Sequence, residues 1–202
     1  MKETRRDEKK KAIREAAYAL LVEKGYKAAS MLEIARRASA SNETLYRWYG
    51  NKQGLFREMV EENASGVREL IDGALAEGAP LMETLSRLGP LLLKLVTGER
   101  AVALNRAAAA DVHETGTLGP TIAASGRQTI VPMIADLIRK ASDGGEVACG
   151  DPDEAAEIFV ALLIGDVQIA CVIGARGPLS DAEIAARSAR ALDGLERTLG
   201  RS

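Results

Sequence analysis

Residues 25–56, GYKAASMLEIARRASASNETLYRWYGNKQGLF, hold two short helices and a tight turn, and their spacing decides how the chain folds. Ser30 stands three residues before Glu33, the spacing of a capping box: the serine hydroxyl accepts from a backbone amide and the glutamate reaches back. Met31, Ile34, Ala35 and Ala38 then share one side of a short helix. Ser39 and Ala40 make the turn, and Ser41 caps the next helix. At about 100° per residue, Leu45, Trp48 and Tyr49 gather on one side of that helix and face the core. Asn42, Glu43, Tyr46 and Arg47 point the other way, with Thr44 on the flank. Such a polar outward side, ending in an aromatic hydroxyl and a guanidinium, suits a helix that enters a major groove by its N-terminus.

Upstream, Ile13, Ala16, Ala17, Leu20 and Leu21 line an amphipathic helix that stops at Gly25. Downstream, Gly and Pro separate a succession of further helices. Asn51 caps one that runs to Gly78, and Leu81 to Val96 form another with Pro90 inside it as a kink. Further helices span Ala101 to about Val112 and Pro120 to about Ala141, the latter with Pro132 inside. Asp151-Pro152 opens the eighth, and Ser180 with Glu183 caps the ninth. The expected fold is all-α: an N-terminal three-helix helix-turn-helix domain at residues 1–51, then a bundle of about six helices at residues 52–202.

Bulk properties narrow the function. Residues 1–57 carry 14 Lys/Arg against 7 Asp/Glu, whereas residues 58–202 carry 13 against 22. A basic head on an acidic body points to a polyanion as partner of the head, or else to a charge run on a solvated helix. Cys149 and Cys171 lack metal-ligand spacing and disulfide density, and read as free thiols in a reducing cytoplasm. The apolar stretch from Ala155 to Ala175 is interrupted by Glu157, Asp166 and Gln168, so it reads as a buried helix rather than a membrane span. No nucleophile with a paired base, glycine-rich phosphate loop or metal cluster is visible, which argues against an enzyme and implies no cofactor.

The segment Gly25–Phe56 resembles the TetR family of transcriptional regulators. The resemblance rests on Gly25-Tyr26, Ser30, Ile34-Ala35, Ala38, Ser41, Thr44-Leu45-Tyr46, Tyr49, Lys52 and Leu55-Phe56. The C-terminal half is similar to the AefR-like subset through Gly126, Asp151-Pro152, Ala155-Ala156-Glu157, Phe159 and Gly165, then Leu179-Ser180 and Glu183-Ile184. Ser39-Ala40 departs from the frequent Gly-Val of the turn, Trp48 replaces a common His or Tyr, and Glu43 stands where a small residue is frequent.

The resemblance implies a candidate DNA-binding set of Ser30, Ser41, Asn42, Glu43, Thr44, Tyr46, Arg47, Tyr49 and Lys52. Within it, Thr44, Tyr46 and Lys52 would meet phosphates, which suits hydroxyl donors and an ammonium. Asn42 suits adenine, while Arg47 suits either a guanine edge or a phosphate. Glu43 could accept from cytosine or simply favour the positive end of its helix. An effector cavity in the body would draw on Asn105, His113, Arg127, Met133, Phe159 and Gln168, polar or bulky groups on otherwise apolar helices. The eighth helix is apolar around most of its circumference, more than one neighbour covers, which implies a two-fold partner. The expectation is a cytoplasmic homodimeric repressor that binds a pseudo-palindromic operator and leaves it when a small apolar or amphipathic molecule binds. The alternative is a DNA-binding regulator without such an effector, an activator or one controlled by a protein.

Overall fold

The computed structural model describes residues 2–199. The fold is all-α, and its helices are α1 (Lys2–Ala28), α2 (Met31–Arg37), α3 (Asn42–Tyr49), α4 (Lys52–Asn63), α5 (Ser65–Glu77), α6 (Leu81–Thr97), α7 (Glu99–Asp111), α8 (Leu118–Ser125), α9 (Arg127–Asp143), α10 (Pro152–Ile164), α11 (Val167–Val172) and α12 (Asp181–Glu196). No helix among the described residues is long and apolar enough to cross a membrane.

Three of the nine helices read from the sequence break once each. The breaks fall at Ala64, at Gly126 and at Gly165. A break of one or two residues leaves the apolar period on both sides nearly in phase, so the pattern alone reads as continuous. The Ser30–Glu33 box is half formed: Glu33 N donates to Ser30 Oγ at 3.2 Å, but the Glu33 carboxylate turns to Lys24 at 2.5 Å. The Ser180–Glu183 box is complete.

The chain forms two compact units, 1–62 with 100–125 and 63–99 with 126–202. In the first, α1 to α4 enclose Ile13, Ala17, Ile34, Leu45, Leu55, Phe56 and Met59, and Leu104, Ala107 and Leu118 of α7 and α8 complete that core. The boundary read at 51/52 therefore does not coincide with the compact units, because 100–125 packs its apolar side on the head helices. Ion pairs tie α1 to α4 through Lys10–Glu58 at 2.8 Å and Arg14–Glu62 at 3.1 Å, and tie α1 to α7 through Glu15–Arg100. The charged start of α1, open between two readings from sequence, is helical from Lys2 onward.

In the second unit, α5, α6, α9, α10 and α12 surround Ile71, Leu85, Leu88, Leu93, Ile134, Ile138, Phe159 and Leu163. Pro90 and Pro132 lie inside α6 and α9, which continue past them. Cys149 and Cys171 form no disulfide, and the Cys171 thiol donates to the Gly177 carbonyl at 3.4 Å. The Arg187 guanidinium of α12 closes the end of α10, donating to the carbonyls of Leu163 at 2.6 Å and Ile164 at 2.8 Å. Those carbonyls have no partner within their own helix, so the arginine supplies the missing donors. Gly165 makes this possible: its φ is 48°, and a β-carbon there would sit 2.5 Å from Arg187 Nη2.

Two substitutions test these local assignments. Ser39 has φ 48°, alone among the non-glycine residues described. Relieving that geometry gains about 1–2 kcal/mol, whereas glycine adds about 0.4–1 kcal/mol of unfolded-chain freedom. Ser39→Gly is therefore expected to raise stability by about 0.5–1 kcal/mol in urea unfolding. Gly165→Ala is expected to lower it by about 1–3 kcal/mol, through strain and overpacking together; an unchanged midpoint would refute the role given to Arg187.

Candidate nucleic-acid interface

The site is built on α3, eight residues long. Ser41 starts it: the Thr44 amide donates to Ser41 Oγ at 3.1 Å, and the two hydroxyls share a further hydrogen bond at 2.8 Å. Leu45 and Tyr49 anchor it in the core and Trp48 is half-buried. Asn42, Glu43, Tyr46 and Arg47 are exposed, Tyr46 at 49%. None of these four side chains makes a hydrogen bond or ion pair among the described residues, so their donors and acceptors stay available to a groove.

The end of α3 is fixed by a close approach. Asn51 Oδ1 accepts from Gly54 N at 2.8 Å, capping α4. A β-carbon on Gly54 would lie 2.0 Å from the Tyr49 carbonyl oxygen, so only glycine lets α4 begin this close to the end of α3.

The nine residues of the candidate set divide into distinct roles. Asn42, Glu43, Tyr46 and Arg47 share the outward side of α3, and Thr44 lies on its flank as expected. Ser30 and Ser41 are exposed caps of adjacent helices. Tyr49 does not share this surface. It is 7% exposed and its hydroxyl is enclosed without a partner, because four residues of helix return it to the side of Leu45. Burial, with the nearby Glu58 carboxylate, pushes that hydroxyl up to about 12.

Lys52 is half-buried at the start of α4. Its ammonium donates to the Tyr26 carbonyl and to the Lys27 carbonyl at 3.3 Å, and lies 3.9 Å from the centre of the Tyr26 ring. Burial lowers its pKa, and the charge of Asp111 counteracts part of that shift. An ammonium has three N–H groups, so one remains for a phosphate.

Two cations of α1 join the surface without having been singled out in the sequence. The Arg6 guanidinium lies 5.7 Å from the centre of the Trp48 ring, and the Lys9 ammonium donates to the Ser39 carbonyl in the turn. Their only trace in the sequence is the Lys/Arg run itself. Of the six effector-cavity candidates, Asn105 and His113 belong to the first unit, whereas Arg127, Met133, Phe159 and Gln168 belong to the second. Asn105 Nδ2 donates to the Ala101 carbonyl at 2.8 Å, His113 is exposed, and exposed Arg127 pairs with Glu157. Phe159 is fully buried in the core, while Met133 and Gln168 are half-buried.

Lys52→Ala is expected to remove one phosphate contact and so flatten the log–log salt dependence of DNA binding by about 0.9. Tyr46→Phe should weaken binding to all sequences alike and leave base preference unchanged. Titration of each variant against a bound duplex at several salt concentrations checks both.

Comparison with known proteins places the whole architecture. Residues 13–59 match the family described as bacterial regulatory proteins, tetR family, and residues 83–197 match the AefR-like transcriptional repressor, C-terminal domain. The chain is 26% identical over 159 residues to the HTH-type transcriptional regulator YvkB of Bacillus subtilis, covering 77% of this chain and 79% of that protein. Its structure is similar to that of a regulator of Mesorhizobium loti assigned to the TetR family, with a TM-score of 0.76 and 27% identity over 95% of this chain and 96% of that one. It also shares its fold with the flavonoid-responsive regulator FrrA, at a TM-score of 0.70 and 23% identity over 95% and 97% of the two chains. With a capped recognition helix, an outward polar side and both parts of the chain matched, the protein belongs to the TetR family of DNA-binding transcriptional regulators.

Proposed function

We propose that this regulator is a homodimeric repressor that leaves a pseudo-palindromic operator when a small apolar or amphipathic molecule binds its second unit. The observation that carries the DNA half is the unengaged outward side of α3, where Asn42 and Arg47 reach base edges and Tyr46 holds a phosphate, with Lys52 at the start of α4 holding another. Residues 1–51 together with Lys52 carry this task, and the remainder of residues 52–202 carries sensing and dimerisation.

Dimerisation is supported by apolar side chains left in water on α10 and beyond: Leu162 at 45% exposure, Ile169 at 56% and Ile173 at 69%. Small residues of α12, Ala182, Ala185, Ala186 and Ala189, are also exposed. A second copy related by a two-fold axis covers such a surface with itself. It would set two recognition helices about 34–36 Å apart, one turn of DNA.

An apolar effector is supported by the predominance of Leu, Ile, Val and Phe in the core of the second unit. FrrA, which shares the fold, is named for its response to flavonoids. Release requires that the ligand prefer one arrangement of the protein over the DNA-binding one, since differential affinity alone moves the population. The second reading, regulation without a small effector, gains from the engaged state of two cavity candidates, the Asn105 amide on its own helix and Arg127 on Glu157.

Ile169→Glu together with Ile173→Glu is expected to shift the mass in light scattering from dimer to monomer and to abolish operator binding. A wild-type mass of one chain would overturn the dimer. A thermal-shift screen of flavonoids, fatty acids, nucleotides and phosphosugars should give hits among the first two classes that also release DNA. Hits confined to phosphorylated compounds would overturn the apolar effector, and a screen without DNA-releasing hits would favour the second reading.

A further inference from the structure

Lys52 is held by more than the helix end it caps. The Tyr26 ring beneath its ammonium is itself fixed, edge-on to Phe56 at 5.0 Å between centres and with its hydroxyl 3.4 Å from Thr117 Oγ1. Thr117 belongs to the loop between α7 and α8, within the same compact unit. That loop is wound around one carboxylate. Asp111, 2% exposed, accepts from the backbone amides of Thr115 at 3.2 Å, Thr117 at 3.1 Å and Leu118 at 3.2 Å, and from the Thr115 hydroxyl. Two further contacts attach the loop and α8 to the same corner: Lys27 pairs with Glu114, and Gln53, next to Lys52, donates to Thr121 Oγ1 at 3.2 Å.

We propose that Asp111, Thr117 and Tyr26 are positioning residues for DNA binding, holding the Lys52 ammonium at the end of α1 so that its third N–H meets an operator phosphate. The inference rests on the assignment of Lys52 to a phosphate. A flexible lysine loses rotamer freedom when it makes such a contact; here the ring and two carbonyls have already taken that freedom. The buried carboxylate matters because three amides converge on it. Asparagine at 111 would turn an NH2 toward amide donors and loosen the loop.

The test is a double-mutant cycle between Asp111→Asn and Lys52→Ala, read on a duplex recovered by the wild-type protein from a random pool. Binding is measured between 50 and 200 mM salt, with circular dichroism and light scattering as controls for fold and mass. Over that range each phosphate contact accounts for about a threefold fall in affinity. Lys52→Ala is expected to lose that factor, Asp111→Asn to lose the same factor, and the double variant to lose no more than either. Tyr26→Phe, which deletes one hydroxyl, should reduce the salt dependence in the same direction and carries the test if Asp111→Asn does not fold. A purely structural role would lower stability and leave the salt slope alone. A wild-type slope in Asp111→Asn, or in Tyr26→Phe where that variant stands in, overturns the positioning role if Lys52→Ala is flattened. A wild-type slope in Lys52→Ala overturns the phosphate assignment, and the inference with it.

Discussion

A helix of eight residues does not persist in water on its own, because the first turn costs more order than the few hydrogen bonds after it return. The candidate DNA-reading surface stands on such a helix, α3, so its geometry has to be imposed from outside. Leu45 and Tyr49 fix its rotation by burial, the Ser41 hydroxyl fixes its start, and the close approach at Gly54 fixes its end against α4. Each acts on the inward side or the termini. The outward side chains are thereby left free of internal partners, which a surface that must exchange water for DNA requires.

The same economy explains why α7 and α8 join the first unit. Helices α1 to α4 enclose a small core, and Leu104, Ala107 and Leu118 enlarge it. The chain thus passes between the units three times, after Glu62, after Glu99 and after Ser125. The start of α4 is gripped from two sides: by the α1 carbonyls below Lys52, and by the Asp111 loop through Tyr26.

Charge follows this division. The first unit carries 16 Lys/Arg against 12 Asp/Glu, and the second 11 against 17. Several head cations are neutralised locally, Lys10 by Glu58, Arg14 by Glu62 and Arg37 by Glu23. Ion pairs near the surface gain little over water, so they orient helices more than they stabilise them. The Arg47 side chain makes no ion pair among the described residues, and the Arg6 guanidinium lies over the Trp48 ring.

The sequence by itself determined the two helices around the turn, the caps at Ser30, Ser41, Asn51, Asp151 and Ser180, and the outward identity of Asn42, Glu43, Tyr46 and Arg47. These are local properties, set by a 3.6-residue period and by side chains that bond amides two or three residues away. Tertiary structure decided the rest. Short breaks, at Ala64, at Gly126 and at Gly165 with Asp166, leave the apolar period nearly intact and so leave no mark in it. The placement of 100–125 on the head depends on which apolar side meets which, and Lys52 looks in sequence like any solvent-facing lysine. The role proposed for it depends on Tyr26, 26 residues earlier, and on Thr117 and Asp111, more than 50 residues later. Periodicity records which side of a helix is apolar; only the folded chain decides what that side touches.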